Sequence, residues 1–244
     1  MKILSIGNSF SQDAQRYLHQ IAKVDGVDIE TVNLYIPGCP LSIHHSNMLS
    51  NAMDYDLEIN GSYTGIKISL KEALLKCNWD VITLQQASYK SPYYETYQPY
   101  LNELVAYIRS LVPNAKIVIH QTWAYEQGCP RLLEELNYKH YKDMLSDIKK
   151  AYKQAAIDIN ADGIIPSGEV FGALLENGIE SVHRDTFHAS FGLGRYALGL
   201  TWYKFLTSNA IENNTFNDFD EPIPANQIEI VKKCVSLLFN NYKA

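Results

Sequence analysis

Three side chains that could cooperate in nucleophilic chemistry stand near opposite ends of this chain. Lys2-Ile-Leu-Ser-Ile-Gly7-Asn8-Ser9 runs an apolar strand into a Gly-Asn-Ser turn, and Asp185-Thr-Phe-His188 follows far downstream. A serine hydroxyl is a weak nucleophile until a base stands beside it. His188 could supply that base. Asp185, three residues earlier, could reach the far imidazole nitrogen, fix its tautomer and stabilise the imidazolium. Each motif also has a bland reading. Ser9 or Ser11 could simply cap a helix, and an Asp-x-x-His spacing is common on solvated loops. Their joint placement favours chemistry: one motif follows the first strand, and the other precedes a helix capped by Ser190, where a last β/α loop belongs.

The elements that must position these residues alternate along the chain. Lys2–Ile6 reads as a first strand. Ala14, Leu18, Ile21 and Ala22 follow at helical spacing, and Ile29–Ile36 is a second strand ended by Pro37-Gly38. Residues 39–68 fit no plain β/α unit and read as an insertion, either a hairpin around Asn60-Gly61 or a lid over the site. Ser69-Leu-Lys-Glu72 is a capping box that opens a helix. Val81–Gln85, Lys116–Gln121 and Gly163–Pro166 are the third, fourth and fifth strands. A tyrosine-rich loop over 89–100 leads into a helix starting near Pro99, with Leu101, Leu104, Val105, Ile108 and Leu111 inward. Glu134–Ile159, Ser167–Glu176, Ser190–Leu206 and Gln227–Tyr242 read as helices. Such alternation predicts one α/β domain over 1–244, with a mainly parallel five-stranded sheet covered on both faces. Ligands of such sheets bind at the carboxyl ends of the strands. There Ser9 would sit at the positive end of the first helix, where a developing oxyanion is favoured.

Bulk properties narrow the partners. The 244 residues are 46% hydrophobic, enough for a sizeable core, and the formal net charge of −6 argues against a nucleic-acid partner. The four cysteines, Cys39, Cys77, Cys129 and Cys234, form no C-x-x-C pair, so neither a zinc site nor a redox dithiol is expected. Neither a signal peptide nor a membrane-length apolar run is visible, and the expectation is a cytoplasmic protein with no membrane partner. No cofactor and no metal are expected: His44 and His45 are adjacent, point to different sides and lack a third ligand.

On these residues the chain resembles the SGNH, or GDSL, hydrolase superfamily of flavodoxin-like esterases. Gly7-Asn8-Ser9-Phe10-Ser11 resembles the first block of that family, with Asn8 where Asp is usual, and Asp185–His188 resembles the last. The resemblance implies a three-layer α/β/α sandwich with Ser9, Asp185 and His188 as a catalytic triad. It also implies an oxyanion hole of the Ser9 and Gly38 backbone N–H groups. The Gly-x-Asn-Asp block of the family is absent; Gln85-Gln86-Ala87-Ser88 stands in its place and is similar to the Q-G-E-S motif of some carbohydrate acetylesterases. Gln85 is therefore the expected amide donor, with Gln86 as the alternative, since strand alternation sends only one of them toward the site. Asn8, Gln86, Ser88 and Trp123 are candidate substrate contacts, and Tyr89, Tyr93, Tyr94 and Tyr97 a candidate aromatic wall. The function so implied is a serine esterase acting on a small-molecule ester, foremost an acetylated sugar. The alternatives are a non-catalytic carbohydrate-binding protein on the same fold, or a flavodoxin-like nucleotide or flavin binder, for which Gly7-Asn-Ser-Phe-Ser-Gln is a poor phosphate cradle.

Overall fold

The computed structural model describes residues 1–241; Tyr242, the expected end of the last helix, lies outside the described residues. A seven-stranded sheet forms the middle layer, in the order β4-β3-β2-β1-β5-β6-β7. Five strands are parallel: β1 (Lys2–Gly7), β2 (Glu30–Tyr35), β5 (Val81–Leu84), β6 (Lys116–His120) and β7 (Gly163–Ile165). Central strands of such a sheet are covered on both faces, so they read as continuous apolar runs, and Ile3, Leu4, Ile6, Ile82 and Leu84 are at most 1% exposed.

The two additional strands correct the expectation of five. β3 (Tyr55–Ile59) and β4 (Ser62–Ile68) form an antiparallel hairpin that joins the sheet edge beside β2. Residues 39–68 thus supply a helix, α3 (Leu41–Ser50), and two edge strands. The turn is the two-residue kind that Asn-Gly favours, with φ of 50° at Asn60 and 74° at Gly61. Its tip docks on β2: Asn60 N–H donates to Thr31 O at 2.8 Å, and Thr31 N–H to Asn60 Oδ1 at 2.9 Å.

Chain direction places the helices. The β1→β2 crossover, carrying α1 (Ser9–Gln15) and α2 (Leu18–Val24), runs one way along the sheet. The β5→β6 and β6→β7 crossovers, carrying α5 (Tyr100–Leu111) and α6 (Tyr141–Asp158), run the other way. Right-handed crossovers therefore put the two sets on opposite faces. The layer of α1 and α2 is completed by α8 (Leu193–Thr207), against which α7 (Ser167–Glu176) and α9 (Ala225–Asn241) pack; α3 and α4 (Leu70–Leu75) pack on α5. The capping box forms as expected, with Glu72 N–H donating to Ser69 Oγ and Ser69 N–H to Glu72 Oε2.

Two helices begin later than the sequence pattern implies. α6 starts at Tyr141 because a single π turn, Arg131–Glu135, and a left-handed Asn137 (φ 59°) precede it. α8 starts at Leu193, although Ser190 Oγ still accepts the Gly194 N–H at 2.8 Å. Among the described residues no helix is long and apolar enough to cross a membrane.

Gly61 has a second constraint beyond its φ: a Cβ there would stand 2.7 Å from the Arg16 carbonyl oxygen. Gly61→Ala is expected to lower stability by about 1–3 kcal/mol, read as a lower urea midpoint at unchanged slope. An unchanged midpoint would show that the hairpin tip is not held against α1.

Candidate active site

β1 and β5 are neighbours from which the crossovers diverge, so the carboxyl ends of these two strands border the switch point of the sheet. Ser9 opens α1 just past β1, and its N–H, first in the helix, has no intrahelical acceptor. Asn8 caps the helix, its Oδ1 accepting Phe10 N–H at 3.0 Å. Gly7 is required by crowding, since a Cβ there would lie 2.2 Å from Ser11 Oγ.

The structure brings Ser9, His188 and Asp185 together. His188 Nδ1 lies 2.7 Å from Asp185 Oδ2, and His188 Nε2 lies 2.8 Å from Ser9 Oγ. A carboxylate oxygen only accepts, so Nδ1 carries a proton, and in the tautomer that leaves Nε2 bare this nitrogen accepts from the Ser9 hydroxyl. Partial burial pushes the Asp185 carboxyl up. Hydrogen bonds from the His188 ring and N–H, with the attraction of that ring in its protonated form, outweigh it and hold the carboxyl below its ordinary value. Asp185 Oδ1 also accepts His188 N–H at 2.8 Å, which closes the turn.

That turn is strained and held from several sides. Thr186 is a β-branched residue at φ 75°. Its carbonyl accepts Glu126 N–H at 2.8 Å, and the Phe187 carbonyl accepts Trp123 Nε1–H at 2.8 Å. On the far side stands Asp13, wholly buried. Its carboxylate accepts from Arg184 Nη1 at 2.9 and 3.0 Å, Arg195 Nε at 2.8 Å and Ala189 N–H at 3.2 Å. Ser9 and Asp13 are four residues apart on α1 and share a face. The same helix turn therefore presents the serine and clamps the segment that carries the histidine. Arg195 continues to Asp220, which also pairs with Arg16.

A second buried chain supports the serine turn. Phe10 N–H fixes the orientation of the Asn8 amide. Asn8 Oδ1 then accepts Gln85 Nε2–H at 2.7 Å, and Asn8 Nδ2–H donates to Cys39 O at 3.1 Å. Gln85 Oε1 must accept, so His120 Nδ1–H, 2.7 Å away, is the donor. Burial pushes the His120 imidazole down to about 3, so it is neutral, and its Nε2 accepts from the Ser167 hydroxyl at 3.1 Å.

Several expected substrate contacts are corrected by burial. Asn8 is 1% exposed, with its amide fully engaged; an Asp there could not donate to Cys39 O. Gln86 turns away from Ser9: its Oε1 accepts from Leu41 and Ala87 N–H, and its Nε2 donates to Thr96 O. Trp123 is wholly buried, stacked on Phe10 with ring centroids 4.1 Å apart, and forms no wall of a cleft. Ser88 is nearly buried, its Oγ 2.9 Å from the Tyr125 hydroxyl. Tyr97 is buried, while Tyr89 is 41% exposed. Gly38 takes a left-handed φ of 59° directly before Cys39, the residue Asn8 holds. Gln85, with one amide hydrogen on Asn8, is the member of the Gln pair that faces the serine turn. His44 is buried against Tyr55 (Nδ1 to hydroxyl, 3.0 Å), and His45 pairs with Glu103. Among the described residues no cluster of three or more His, Cys, Asp or Glu is arranged to hold a metal ion. Asp13, Arg184, Arg195 and the role of His120 have no signature in the sequence; an acid four residues after Ser9 on a buried helix face is the one available hint.

A family model described as "Domain of unknown function (DUF4886)" matches residues 2–234. The chain belongs to the DUF4886 family. A DUF4886 family protein from Bacteroides uniformis is 31% identical, with 98% of this chain and 95% of that chain covered at a TM-score of 0.89. More distant structures share the DUF4886 chain's fold. One is a protein from Slackia heliotrinireducens provisionally described as an SGNH hydrolase (21% identity, 84% and 98% covered, TM-score 0.60). Another is an acetylxylan esterase from Geobacillus stearothermophilus (14% identity, 85% and 92% covered, TM-score 0.54). No curated protein matches.

Two outcomes test these networks. Asp13→Ala leaves the partly buried Arg184 and Arg195 guanidinium groups without their shared carboxylate, although Arg195 keeps Asp220, and is expected to cost about 3 kcal/mol in urea unfolding. A cost under about 1 kcal/mol would show that the clamp is dispensable. Burial also holds His44 and His120 down to about 3 and His183 to about 4. The unfolded chain takes up protons on these groups below about pH 6.5, and the native chain does not. Stability should therefore fall as pH drops from 6.5 toward 4, by up to about 1.4 kcal/mol per pH unit for each group. His120→Asn should make that fall shallower; the same pH slope in both proteins would mean that His120 is protonated in the native state.

Proposed function

We propose that this protein is a serine esterase that removes a small acyl group, with an O-acetylated carbohydrate as its substrate class. The carrying observation is the unbroken chain from Ser9 Oγ through His188 to Asp185, at 2.8 and 2.7 Å, at the carboxyl edge of the sheet. Ser9 Oγ attacks the ester carbonyl while His188 Nε2 takes its proton, and Asp185 holds the ring and balances its positive charge. The oxyanion is met by the Ser9 N–H at the head of α1, the Gly38 N–H and the remaining amide hydrogen of Gln85. Protonated His188 then returns its proton to the leaving alcohol, and water, deprotonated by the same imidazole, clears the acyl-enzyme.

In this reading the chain is a divergent branch of the SGNH hydrolases. Gly7-Asn8-Ser9-Phe10-Ser11 serves as the first block, and Gln85 takes the place of the oxyanion Asn. The carbohydrate assignment is supported by the shared fold with the acetylxylan esterase and by exposed aromatic surface at Tyr89.

The test is hydrolysis of p-nitrophenyl acetate and an acetylated xylo-oligosaccharide by the protein and by its Ser9→Ala and Asp185→Asn variants. Ser9→Ala should lower kcat to near background, and Asp185→Asn should lower it by about 10² to 10⁴-fold. Equal rates for the wild type and Ser9→Ala would overturn the esterase reading and leave carbohydrate binding without chemistry.

A further inference from the structure

The chain has five arginines, and four are committed. Arg16 pairs with Asp220, Arg184 and Arg195 share Asp13, and Arg109 donates to the Ile159 and Asn160 carbonyls. Arg131 alone, among the described residues, neither forms an ion pair nor caps a carbonyl with its guanidinium. In a chain with 27 acidic and 21 basic residues, that cation is not short of local partners by composition. Its place is also unlike that of the others. The guanidinium lies 4.1 Å from the Phe187 ring centroid, and the Phe187 and His188 ring centroids are 3.9 Å apart. It also acts on the Tyr125 hydroxyl: burial pushes that phenol up, and its hydrogen bond to Ser88, on the loop after β5, and the Arg131 guanidinium oppose the rise.

The backbone contributes to this placement. Arg131 opens the single π turn between β6 and α6, and such turns concentrate at functional sites. A guanidinium laid on an aromatic face keeps its donor edge free, in a planar fork that matches a carboxylate with two parallel hydrogen bonds. The nearby acids do not fill it: Asp185 is spent on His188, and Glu135 forms no ion pair with it.

We infer that Arg131 is a specificity residue, an anion subsite beside the Ser9–His188 pair, and that the preferred ester carries a carboxylate on its alcohol part, as an acetylated uronic-acid sugar does. This rests on the esterase reading for its chemistry but not for its binding. Phe187 supplies the platform between the reacting imidazole and the anion, so the carboxylate of the bound sugar lies beyond His188, on the leaving-group side.

Two measurements test it. The first compares kcat/KM for an acetylated oligogalacturonide and an acetylated xylo-oligosaccharide, with p-nitrophenyl acetate and Ser9→Ala as controls for hydrolysis itself. The wild type should favour the anionic substrate by about tenfold or more through KM, and less so in high salt. Arg131→Gln should bring the ratio of the two substrates toward one, and Arg131→Lys should restore part of it. No preference in the wild type, or an unchanged ratio in Arg131→Gln, would overturn the subsite. The second is calorimetric titration of Ser9→Ala with deacetylated oligogalacturonide and xylo-oligosaccharide. Tighter binding of the galacturonide, lost in Ser9→Ala/Arg131→Gln, supports the subsite even if no ester is cleaved. Equal binding of both sugars overturns it whatever the fate of the esterase reading.

Discussion

A buried carboxylate, Asp13, joins the two ends of the chain where the site forms. Taking such a charge out of water is costly unless its lone pairs are met, and here three groups meet them: Arg184, Arg195 and the Ala189 N–H. Two of the three flank His188 in sequence. The segment that carries the imidazole is therefore not a loop leaning on the surface; both of its sides are fastened to a charge that cannot be left unpaired. The strained φ of Thr186 is tolerable for the same reason, because the fixed points around it leave the turn little choice.

The serine end is organised by neutral hydrogen bonds. Donors and acceptors run in one direction from Ser167 through His120, Gln85 and Asn8 to the Cys39 carbonyl. Reversing any amide would set donor against donor, so the direction is self-consistent and fixed at Asn8 by the Phe10 N–H. This chain links the ends of β1, β5 and β6 with the Gly38 turn after β2. Those strand ends lie at the carboxyl edge of the sheet beside Ser9, and they are held by neutral groups alone.

The parts of this architecture that depend on near neighbours were legible in the sequence. The apolar β1 run into Gly7-Asn8-Ser9, the Ser69–Glu72 capping box, the Asn60-Gly61 turn and the Asp185–His188 spacing each depend on a few consecutive residues. What the sequence hid depends on distant pairing. β4 is largely exposed and has no strong alternation, so nothing local shows that it completes a sheet. Asp13 and Arg184 are 171 positions apart and meet only after the sheet has folded. Trp123 and Gln86 sit at strand ends, where type and position suggest a cleft; only packing against Phe10 and bonding to Thr96 reveal them as interior. The late start of α6 was hidden because the π turn keeps an approximately helical pattern of apolar residues.

The spacing of Ser9 and Asp13 has a consequence for how this fold can change over evolutionary time. Each residue added to an α-helix rotates everything beyond it by about 100°. A single insertion or deletion between the two would swing the carboxylate off the face that meets Arg184 while the serine stayed in place. Residues 9–13 thus behave as a fixed ruler, able to exchange side chains but not to alter their number.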